Sequence, residues 1–485
     1  MNKRDESTPI KVELLRVLGL QKKTTSHIRV FNPFTKEVIG LAPKANVRDV
    51  EDALAFAKGY RCKLTRFERS KILSQAGEIL KKRMNEASDL ITAESGLCKK
   101  DSLYEVGRVA DVLHFSAIET LRDDGQSFWC DLTPHGKSRR VFTQREPLLG
   151  VITAITPFNH PMNQVAHKIA PSIATGNRML LKPSEKTPLS AYLLADILYE
   201  AGLPPQMLQV INGDPQEIAS TLVTHPSVDL VTFTGGVEIG KLIASMASYK
   251  RMVLELGGND PLIVMEDADL DEASTLAVLG SYKNSGQRCT AVKRMLVHEA
   301  VADRFIDLLV DKTRSWSYGD PMDPEVNMGT VIDEQAATLF ESRVHQAVAD
   351  GAKCLFGNNR SGALYSPTVL DQVHPKMDVV KYETFGPVSP VIRFKTIDDA
   401  IDLVNSTDFG LSSAVCTNRL DYISRFVNEL QVGTVNIREV PGYRLELTPF
   451  GGIKDSGLGY KEGVQEAIKS FTNLKTFSLP WGVGS

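Results

Sequence analysis

Apolar and polar positions alternate in a regular way from about residue 151 onward. Short apolar runs with the length of buried strands occur at 150–155, 179–181, 208–211, 230–233 and 252–256. Amphipathic stretches with helical spacing separate them, at 164–174, 189–201, 218–223 and 239–247. Strands that alternate with helices of this length predict a parallel sheet with crossover helices.

A second series of the same kind begins near Pro261. Its predicted elements are strands at 262–264 and 294–297 and helices at 271–284 and 301–315. We therefore expect a second α/β domain. The first hundred residues are mostly helical, with the apolar spacing of surface-packed helices at 71–83 and 102–121.

Two outlying segments fit neither series. Residues 128–145 alternate without a strong apolar face, and residues 470–479 again have strand character. Ribbons of this kind pair with each other or with another subunit. We expect a homo-oligomer, either a dimer or a tetramer.

Composition narrows the class of protein. A chain of 485 residues is too long for one ordinary core, and a net charge of −3 predicts no general attraction to nucleic acid or membranes. The six cysteines form no CxxC pair, which argues against a disulfide framework or a metal site. With no apolar segment of signal or spanning type, we expect a cytoplasmic protein with free thiols.

Two residue types offer covalent and acid–base chemistry. Cys289 follows a predicted helix and a glycine, so we expect it on an exposed turn, where the adjacent Arg288 supplies a cation that favours the reactive thiolate. Glu255 is a lone carboxylate in an apolar run before two glycines, an environment that suits a general base. Taken singly, a buried inert cysteine and a paired structural acid explain them as well.

Other motifs are weaker when each is taken alone. Asn159, just past a strand, can donate to an oxyanion or simply form a turn. Lys182 and Glu185 follow a strand at the edge where parallel sheets bind nucleotides, but they also suit a solvated loop. The turn at 233–240 is rich in glycine without being a true GxGxxG motif.

The order of these motifs is far more specific than any one of them. Along the chain they are PFN (157–159), KPSE (182–185), FTGGVEIG (233–240), LELGG (254–258), GQRCT (286–290), ETFGP (383–387) and PFGGIKDSGLG (449–459). This set resembles the aldehyde dehydrogenase superfamily over about residues 31–480. The resemblance implies an α/β fold with a Rossmann-type dinucleotide-binding domain (1–126 and 146–255), an α/β catalytic domain (256–465) and a small β oligomerisation element (127–145 and 466–485).

The resemblance also assigns roles. Cys289 is the nucleophile that forms a thiohemiacetal and then a thioester, Asn159 and the Cys289 backbone N–H stabilise the oxyanion, and Glu255 activates the water that releases the acid. The cofactor is NAD or NADP, and Glu185 favours NAD because a carboxylate repels a 2′-phosphate. The expected cofactor contacts are Thr156, Pro157, Phe158, Lys182, Ser184, Glu185, Gly235, Gly240, Leu256, Glu383 and Phe385. Lys182 and Glu185 resemble adenine-ribose contacts, Glu383 the nicotinamide-ribose contact, and Gly235 and Gly240 the pyrophosphate turn.

Potential cations in or near the motifs bear on the substrate. They are Arg108, His160, Arg288 and Arg444, and the family's substrate tunnel is bordered by the elements that carry Arg108 and Arg444. Several cations around one tunnel favour a small aldehyde with an anionic tail. The combination of NHP, GQRCT and GYRLELTPFGGIKDSG resembles phosphonoacetaldehyde dehydrogenases most, which implies oxidation of phosphonoacetaldehyde to phosphonoacetate. Succinate semialdehyde, sulfoacetaldehyde, lactaldehyde and glyceraldehyde 3-phosphate stay open, because GQRCT also occurs among those relatives.

Two functions of other kinds compete with this interpretation. A CoA-acylating dehydrogenase would resolve the thioester with CoA, but those relatives typically lack the base found here at Glu255. A structural, crystallin-like protein would have lost catalytic or cofactor groups, and every expected group is present in this sequence.

Overall fold

The computed structural model describes residues 10–11, 26–459 and 462–481. The helices of this part of the chain are α1 (Val47–Gly59), α2 (Arg66–Lys82), α3 (Met84–Ser95), α4 (Lys99–Leu121), α5 (Asn163–Ala174), α6 (Leu189–Glu200), α7 (Pro215–Thr224), α8 (Val237–Ala247), α9 (Leu270–Tyr282), α10 (Glu299–Arg314), α11 (Glu334–Ala349), α12 (Asp378–Lys381), α13 (Ile397–Asn405), α14 (Leu420–Glu429) and α15 (Val464–Ser470). Short 3-10 turns occur at Pro205–Met207 and Lys283–Gly286.

The strands of the same ranges are β1 (Ile10–Lys11), β2 (His27–Phe31), β3 (Val38–Pro43), β4 (Ser127–Trp129), β5 (Arg139–Pro147), β6 (Val151–Ile155), β7 (Met179–Lys182), β8 (Leu208–Val210), β9 (Val228–Thr234), β10 (Arg251–Glu255), β11 (Pro261–Val264), β12 (Arg294–His298), β13 (Lys353–Phe356), β14 (Arg360–Ser361), β15 (Leu364–Tyr365), β16 (Thr368–Asp371), β17 (Val388–Phe394), β18 (Phe409–Gly410), β19 (Ser412–Cys416), β20 (Thr434–Ile437), β21 (Ile453–Lys454) and β22 (Thr472–Pro480).

The first predicted series forms a five-stranded parallel sheet in the order β10-β9-β6-β7-β8. Ile152 and Ala154 of β6 pack into one core with α5 and α6, whereas Val151 packs into another with α1, α7 and α8. Because helices cover both faces, these strands are apolar throughout rather than alternating. The predicted parallel sheet with crossover helices is confirmed.

The second series forms a seven-stranded sheet in the order β13-β16-β17-β12-β11-β19-β20, parallel except for β13. One boundary was predicted wrongly, because α9 ends at Tyr282 and not at Asn284. Asn284 and Ser285 have φ values of 62° and 53°, a left-handed conformation that cannot continue a right-handed helix. The buried carboxylate of Asp101 accepts the Asn284 backbone N–H at 2.6 Å and holds this turn in place.

The two outlying segments pair with each other. β22 runs antiparallel to β5 from Thr472 opposite Pro147 to Pro480 opposite Arg139, and β4 lies on the other side of β5. The domain boundaries and the oligomerisation element stay predictions. Parts of them, 1–9, 12–25 and 482–485, lie outside the described residues.

Two further findings concern the described part of the chain. No helix in it is both long enough and apolar enough to cross a membrane. All six cysteines fall within it, and all six are free thiols.

Candidate active site

Cys289 lies where two cavities meet. A cavity of about 270 Å³, which we call the cationic cavity, is lined by Cys289 and by Asp101, Arg108, His160, Lys283, Arg288 and Arg444 among others. A second cavity of about 260 Å³, which we call the glycine cavity, is lined by Cys289 and by Pro157, Phe158, Asn159, Gly235, Leu256, Gly257, Glu383 and Phe385 among others. A group in either cavity therefore has access to the same thiol.

The loop that carries Cys289 is fixed by amide side chains. Asn159 donates from Nδ2 to the Gln287 carbonyl at 2.9 Å, and Asn284 donates to the Asn159 carbonyl at 3.0 Å. Gln287 in turn accepts the Ile332 backbone N–H through Oε1 at 2.8 Å. This network places the Asn159 amide beside the thiol, where it can donate to an oxygen bound at Cys289.

The Cys289 thiol is not activated in the way that the sequence suggested. Burial raises its pKa to about 11, and Lys293 and Arg444 oppose that rise while Asp260 and Glu383 add to it. Arg288, expected to favour the thiolate, directs Nη2 to the carbonyls of Leu279 and Gly280 at 3.1 and 2.7 Å. Cys289 is also half-buried rather than fully exposed.

Glu255 is the last residue of β10, and its side chain is buried. It stands opposite Thr234 of β9, which lines the glycine cavity. Leu256 and Gly257, the next two residues, line the same cavity. Glu255 is thus next in the chain to two residues that line the glycine cavity, although its own side chain lines neither cavity.

An acid that the sequence analysis missed organises the cationic cavity. Glu446 forms an ion pair with Arg108, accepts from His167 Nε2 at 2.5 Å and lies 3.8 Å from Arg444. Burial alone would raise the Glu446 pKa, but His167, Arg444 and Arg108 hold it well below its ordinary range. Glu446 is therefore ionised, and it offsets part of the positive charge.

Arg288 and Lys283 keep their charge without such a partner. Neither has a carboxylate within ion-pair distance among the described residues, although the buried Asp101 lines the same cavity. Burial lowers the pKa of both groups, and Asp101 opposes that effect. In the same part of the chain, the buried Arg288 Nε and Arg444 Nη1 have no hydrogen-bond acceptor. Donors of this kind suit an anionic ligand.

His160 lines the cationic cavity but is not a cation, which corrects the sequence-based expectation. Glu105 accepts the backbone N–H groups of Met162 and Asn163 through Oε1. Its other oxygen, Oε2, accepts from His160 Nδ1 at 3.2 Å. Burial lowers the His160 pKa below its usual 6.5, although Glu105 opposes this. The imidazole is consequently neutral at pH 7.

The glycine cavity has the shape and chemistry of a nucleotide site. Phe158 and Phe385 meet edge to face with ring centres 6.0 Å apart, and Glu383 stands against Gly257, where any Cβ would collide with it. The two rings offer apolar surface to a flat group, and the Glu383 carboxylate can accept from ribose hydroxyls. The cavity lies at the carboxyl edge of a parallel sheet, where dinucleotides bind.

The remaining predicted cofactor residues occupy the same edge but do not line this cavity. Lys182 ends β7 and donates from a buried Nζ to the Pro183 carbonyl and to Glu185 Oε2. Thr156 donates its backbone N–H to the Lys182 carbonyl. Ser184 lies in the loop that follows Lys182. Gly240 is buried in α8, where a Cβ would collide with the Leu256 side chain, so it allows close helix packing rather than lining the cavity.

Several charged residues of the site were not found from the sequence. Around the cavities they are Asp101, Lys283, Lys293 and Glu446. The buried ion pair between Lys168 of α5 and Glu462, in the loop before α15, was also missed. For Lys293 a signal existed, since a lysine inside the apolar run 291–297 has to find buried acceptors. For Glu446 and Glu462 there was none, because their partners are hundreds of residues away in sequence.

Comparison with known proteins agrees with this architecture. Residues 20–477 match the Aldehyde dehydrogenase family. The chain is 37% identical to a 3-sulfolactaldehyde dehydrogenase of Priestia megaterium over 97% of this chain and 99% of that one. It is 38% identical to a sulfoacetaldehyde dehydrogenase of Neptuniibacter caesariensis, covering 92% of this chain and 98% of the relative.

The fold is also similar to solved structures. An NADP-dependent glyceraldehyde-3-phosphate dehydrogenase from Bacillus halodurans, solved with NADP, aligns with a TM-score of 0.93 and 34% identity over 98% of this chain and 100% of that one. The family match, the α/β architecture and the cysteine shared by two cavities agree, and the chain belongs to the aldehyde dehydrogenase family as an NAD(P)-dependent oxidoreductase.

Proposed function

We propose that this enzyme oxidises a short aldehyde with an anionic tail to the carboxylic acid, with phosphonoacetaldehyde as the favoured substrate and phosphonoacetate as the product. The observation that carries the proposal is the cationic cavity that opens on Cys289. Arg108, Lys283, Arg288 and Arg444 line it together with the acids Asp101 and Glu439. Of these four cations, Arg108 and Arg444 alone pair with a carboxylate of the described residues, that of Glu446. An oxyanion tail would accept from the guanidinium and ammonium groups that line the cavity.

In the proposed reaction, Cys289 gives its proton to solvent water, and the thiolate sulfur attacks the carbonyl carbon of an aldehyde bound in the cationic cavity. The oxygen becomes an oxyanion that accepts from the Asn159 amide and the Cys289 backbone N–H. Glu383 and Phe385, with the other residues of the glycine cavity, would hold NAD(P), which would supply the hydride acceptor for that carbon. The product is a thioester on Cys289.

The second half of the reaction depends on Glu255. Its carboxylate takes a proton from a water molecule, and the resulting hydroxide attacks the thioester carbon. The carbon–sulfur bond breaks, the acid leaves, and the Cys289 sulfur is restored. We propose this hydrolysis rather than transfer to CoA, because Glu255 is a buried carboxylate next in the chain to the cavity-lining Leu256 and Gly257 and could serve as the base.

The choice of tail follows from charge. A phosphonate carries up to two negative charges near neutral pH, and the four cations that line the cavity outnumber its two lining acids, Asp101 and Glu439. Sulfoacetaldehyde and 3-sulfolactaldehyde form the second candidate class, supported by the relatives of that activity at 38% and 37% identity. Both classes use the same tetrahedral oxyanion chemistry.

The test is kcat/KM across phosphonoacetaldehyde, sulfoacetaldehyde, 3-sulfolactaldehyde, succinate semialdehyde and neutral propionaldehyde, without CoA. Arg288→Met should lower kcat/KM for the anionic aldehydes by about 10- to 100-fold, since it removes a charged hydrogen-bond donor. Propionaldehyde should change little. Arg69→Met is the matched control, because Arg69 also binds two backbone carbonyls, those of Ala174 and Leu64, but lines neither cavity.

Equal losses for anionic and neutral aldehydes in Arg288→Met would remove the anion-binding role. A preference for the sulfonates in the wild-type enzyme would replace phosphonoacetaldehyde by the second class. Acid formation that strictly requires CoA would overturn hydrolysis by Glu255.

A further inference from the structure

Lys293 forms several polar contacts around the nucleophile, and its side chain is almost fully buried. Its Nζ donates to the carbonyls of Arg288 and Cys289, each at 2.8 Å, and to the Gly258 carbonyl at 3.0 Å. It also forms an ion pair with Glu383 Oε1 at 2.8 Å. One ammonium group thus contacts the backbone at Cys289, the loop after β10 and the carboxylate of Glu383.

These contacts orient Glu383. Its Oε1 accepts from Lys293 and from the Gly258 backbone N–H at 3.1 Å, so this oxygen is committed to the protein. Its Oε2 lies over Gly257 in the wall of the glycine cavity and accepts from no other described residue. A carboxylate held by one oxygen presents the other in a fixed direction, which suits hydrogen bonds from the hydroxyls of a ribose.

The same ammonium acts on the nucleophile. Burial raises the Cys289 pKa to about 11, and Lys293 is the foremost charge that opposes this rise, followed by Arg444. The charged groups that face the thiol are Lys293, Arg444, Arg288, Asp260 and Glu383. Since Asp260 and Glu383 disfavour the thiolate, the position of Lys293 between Glu383 and Cys289 offsets part of their effect.

We propose that Lys293 is a positioning residue of the oxidation, which fixes Glu383 for the cofactor ribose and stabilises the Cys289 thiolate by its charge. Neither function depends on which aldehyde is bound. The inference therefore rests on the aldehyde dehydrogenase reaction alone and survives a change in the proposed substrate.

Two readouts without turnover test it. The first is the rate of iodoacetamide alkylation of Cys289 at pH 8–9.5 in the enzyme without cofactor, followed by mass spectrometry of the peptide that contains Cys289. The second is the Kd for NAD+. Lys293→Gln and Lys293→Met should slow alkylation about threefold or more, because each unit of pKa lowers the thiolate population tenfold while the thiolate's nucleophilicity partly compensates. Both variants should weaken NAD+ binding about tenfold through the loss of a charged hydrogen bond.

The control variants separate charge from mere loosening of the loop. Glu383→Gln should speed alkylation about threefold, opposite to Lys293→Gln, while also weakening NAD+ binding. Lys293→Arg keeps the charge and should recover most of the alkylation rate. Lys250→Gln is the matched control, since Lys250 binds the carbonyls of His225 and Val228 at 3.0 Å yet lines neither the cationic nor the glycine cavity.

Each outcome decides one part of the proposal. Folded Lys293→Gln and Lys293→Met enzymes that alkylate at the wild-type rate or faster would overturn the electrostatic role. Wild-type affinity for NAD+ in both would overturn the positioning of Glu383. If neither variant folds, a Lys293→Arg enzyme that alkylates as slowly as the fully buried Cys416 thiol would overturn the charge effect.

Discussion

Arg108 on α4 and Glu446 near the C-terminal end of the chain form a buried ion pair in the wall of the cationic cavity. Only 17% of the Arg108 side chain and 5% of the Glu446 side chain are exposed. Glu446 is at the same time the acceptor for His167 and the nearest acid to Arg444. Glu446 therefore offsets part of the positive charge of the cavity, in addition to the lining acids Asp101 and Glu439.

We expect Glu446→Gln to destabilise the protein by about 3–5 kcal/mol at pH 7, since it leaves buried cations uncompensated. The folded-state pKa of Glu446 is depressed, so its contribution is complete above pH 4.5 and is lost as the pH falls below that value. Between pH 7 and pH 3 the difference in unfolding free energy from the wild type should narrow by about 2 kcal/mol. Urea unfolding at several pH values measures it.

Glu334→Gln serves as the control for that experiment. Glu334 also contacts two cations, Lys36 and Arg360, but on the exposed surface, so its loss should hardly move the urea midpoint. A Glu446→Gln enzyme as stable as the wild type at pH 7 would mean that Glu446 is not the counter-ion of the cavity.

Glu255→Ala should separate the two halves of the reaction. We expect a stoichiometric burst of NAD(P)H on mixing with aldehyde, followed by steady-state turnover about 10³-fold below the wild type, because the thioester lacks its general base. Stopped-flow absorbance of the reduced cofactor checks this. Cys289→Ala should give neither burst nor turnover while it still binds the cofactor, and loss of the burst in Glu255→Ala would assign that carboxylate to the first step instead.

Glu185 should govern the choice between NAD and NADP. It lies at the carboxyl end of β7, held by Lys182 at 3.2 Å, and we propose that it repels a 2′-phosphate and favours NAD. Glu185→Ala should raise kcat/KM for NADP relative to NAD by about tenfold. An unchanged ratio would place cofactor discrimination elsewhere on this edge.

The ribbon formed by β4, β5 and β22 should carry the subunit contact. β22 is an edge strand, and it exposes large apolar side chains, with Leu474 at 58% and Leu479 at 43% exposure. Leu474→Lys or Leu479→Lys should lower the molar mass measured by light scattering after size-exclusion chromatography, from that of an oligomer towards that of the monomer. The reason is that a charge on an edge strand opposes strand pairing. Leu420→Lys, at a still more exposed position on α14, is the control and should leave the mass unchanged.

The sequence by itself determined the elements and the reactive groups. The apolar runs predict strands β6 to β10 correctly, because helices cover both faces of this sheet and its strands are therefore apolar throughout. Cys289, Glu255 and Asn159 were identified because they lie in ordered motifs. Cys289 and Asn159 line the glycine cavity and Glu255 precedes two residues that line it, while the catalytic roles of all three stay predictions. Local patterns located β6 to β12 to within two residues at each end, but they did not predict β13 to β21.

Only the tertiary structure decided which groups of the site are charged and which partners they have. Whether His160 is a cation depends on burial and on Glu105, 55 positions earlier, and the strength of the cationic cavity depends on Glu446, 338 positions after Arg108. The role proposed for Lys293 depends on its hydrogen bond to Glu383, 90 positions later. Electrostatic interactions act through space and depend on burial, so the protonation and pairing of these groups follow from the folded chain and not from their neighbours in sequence.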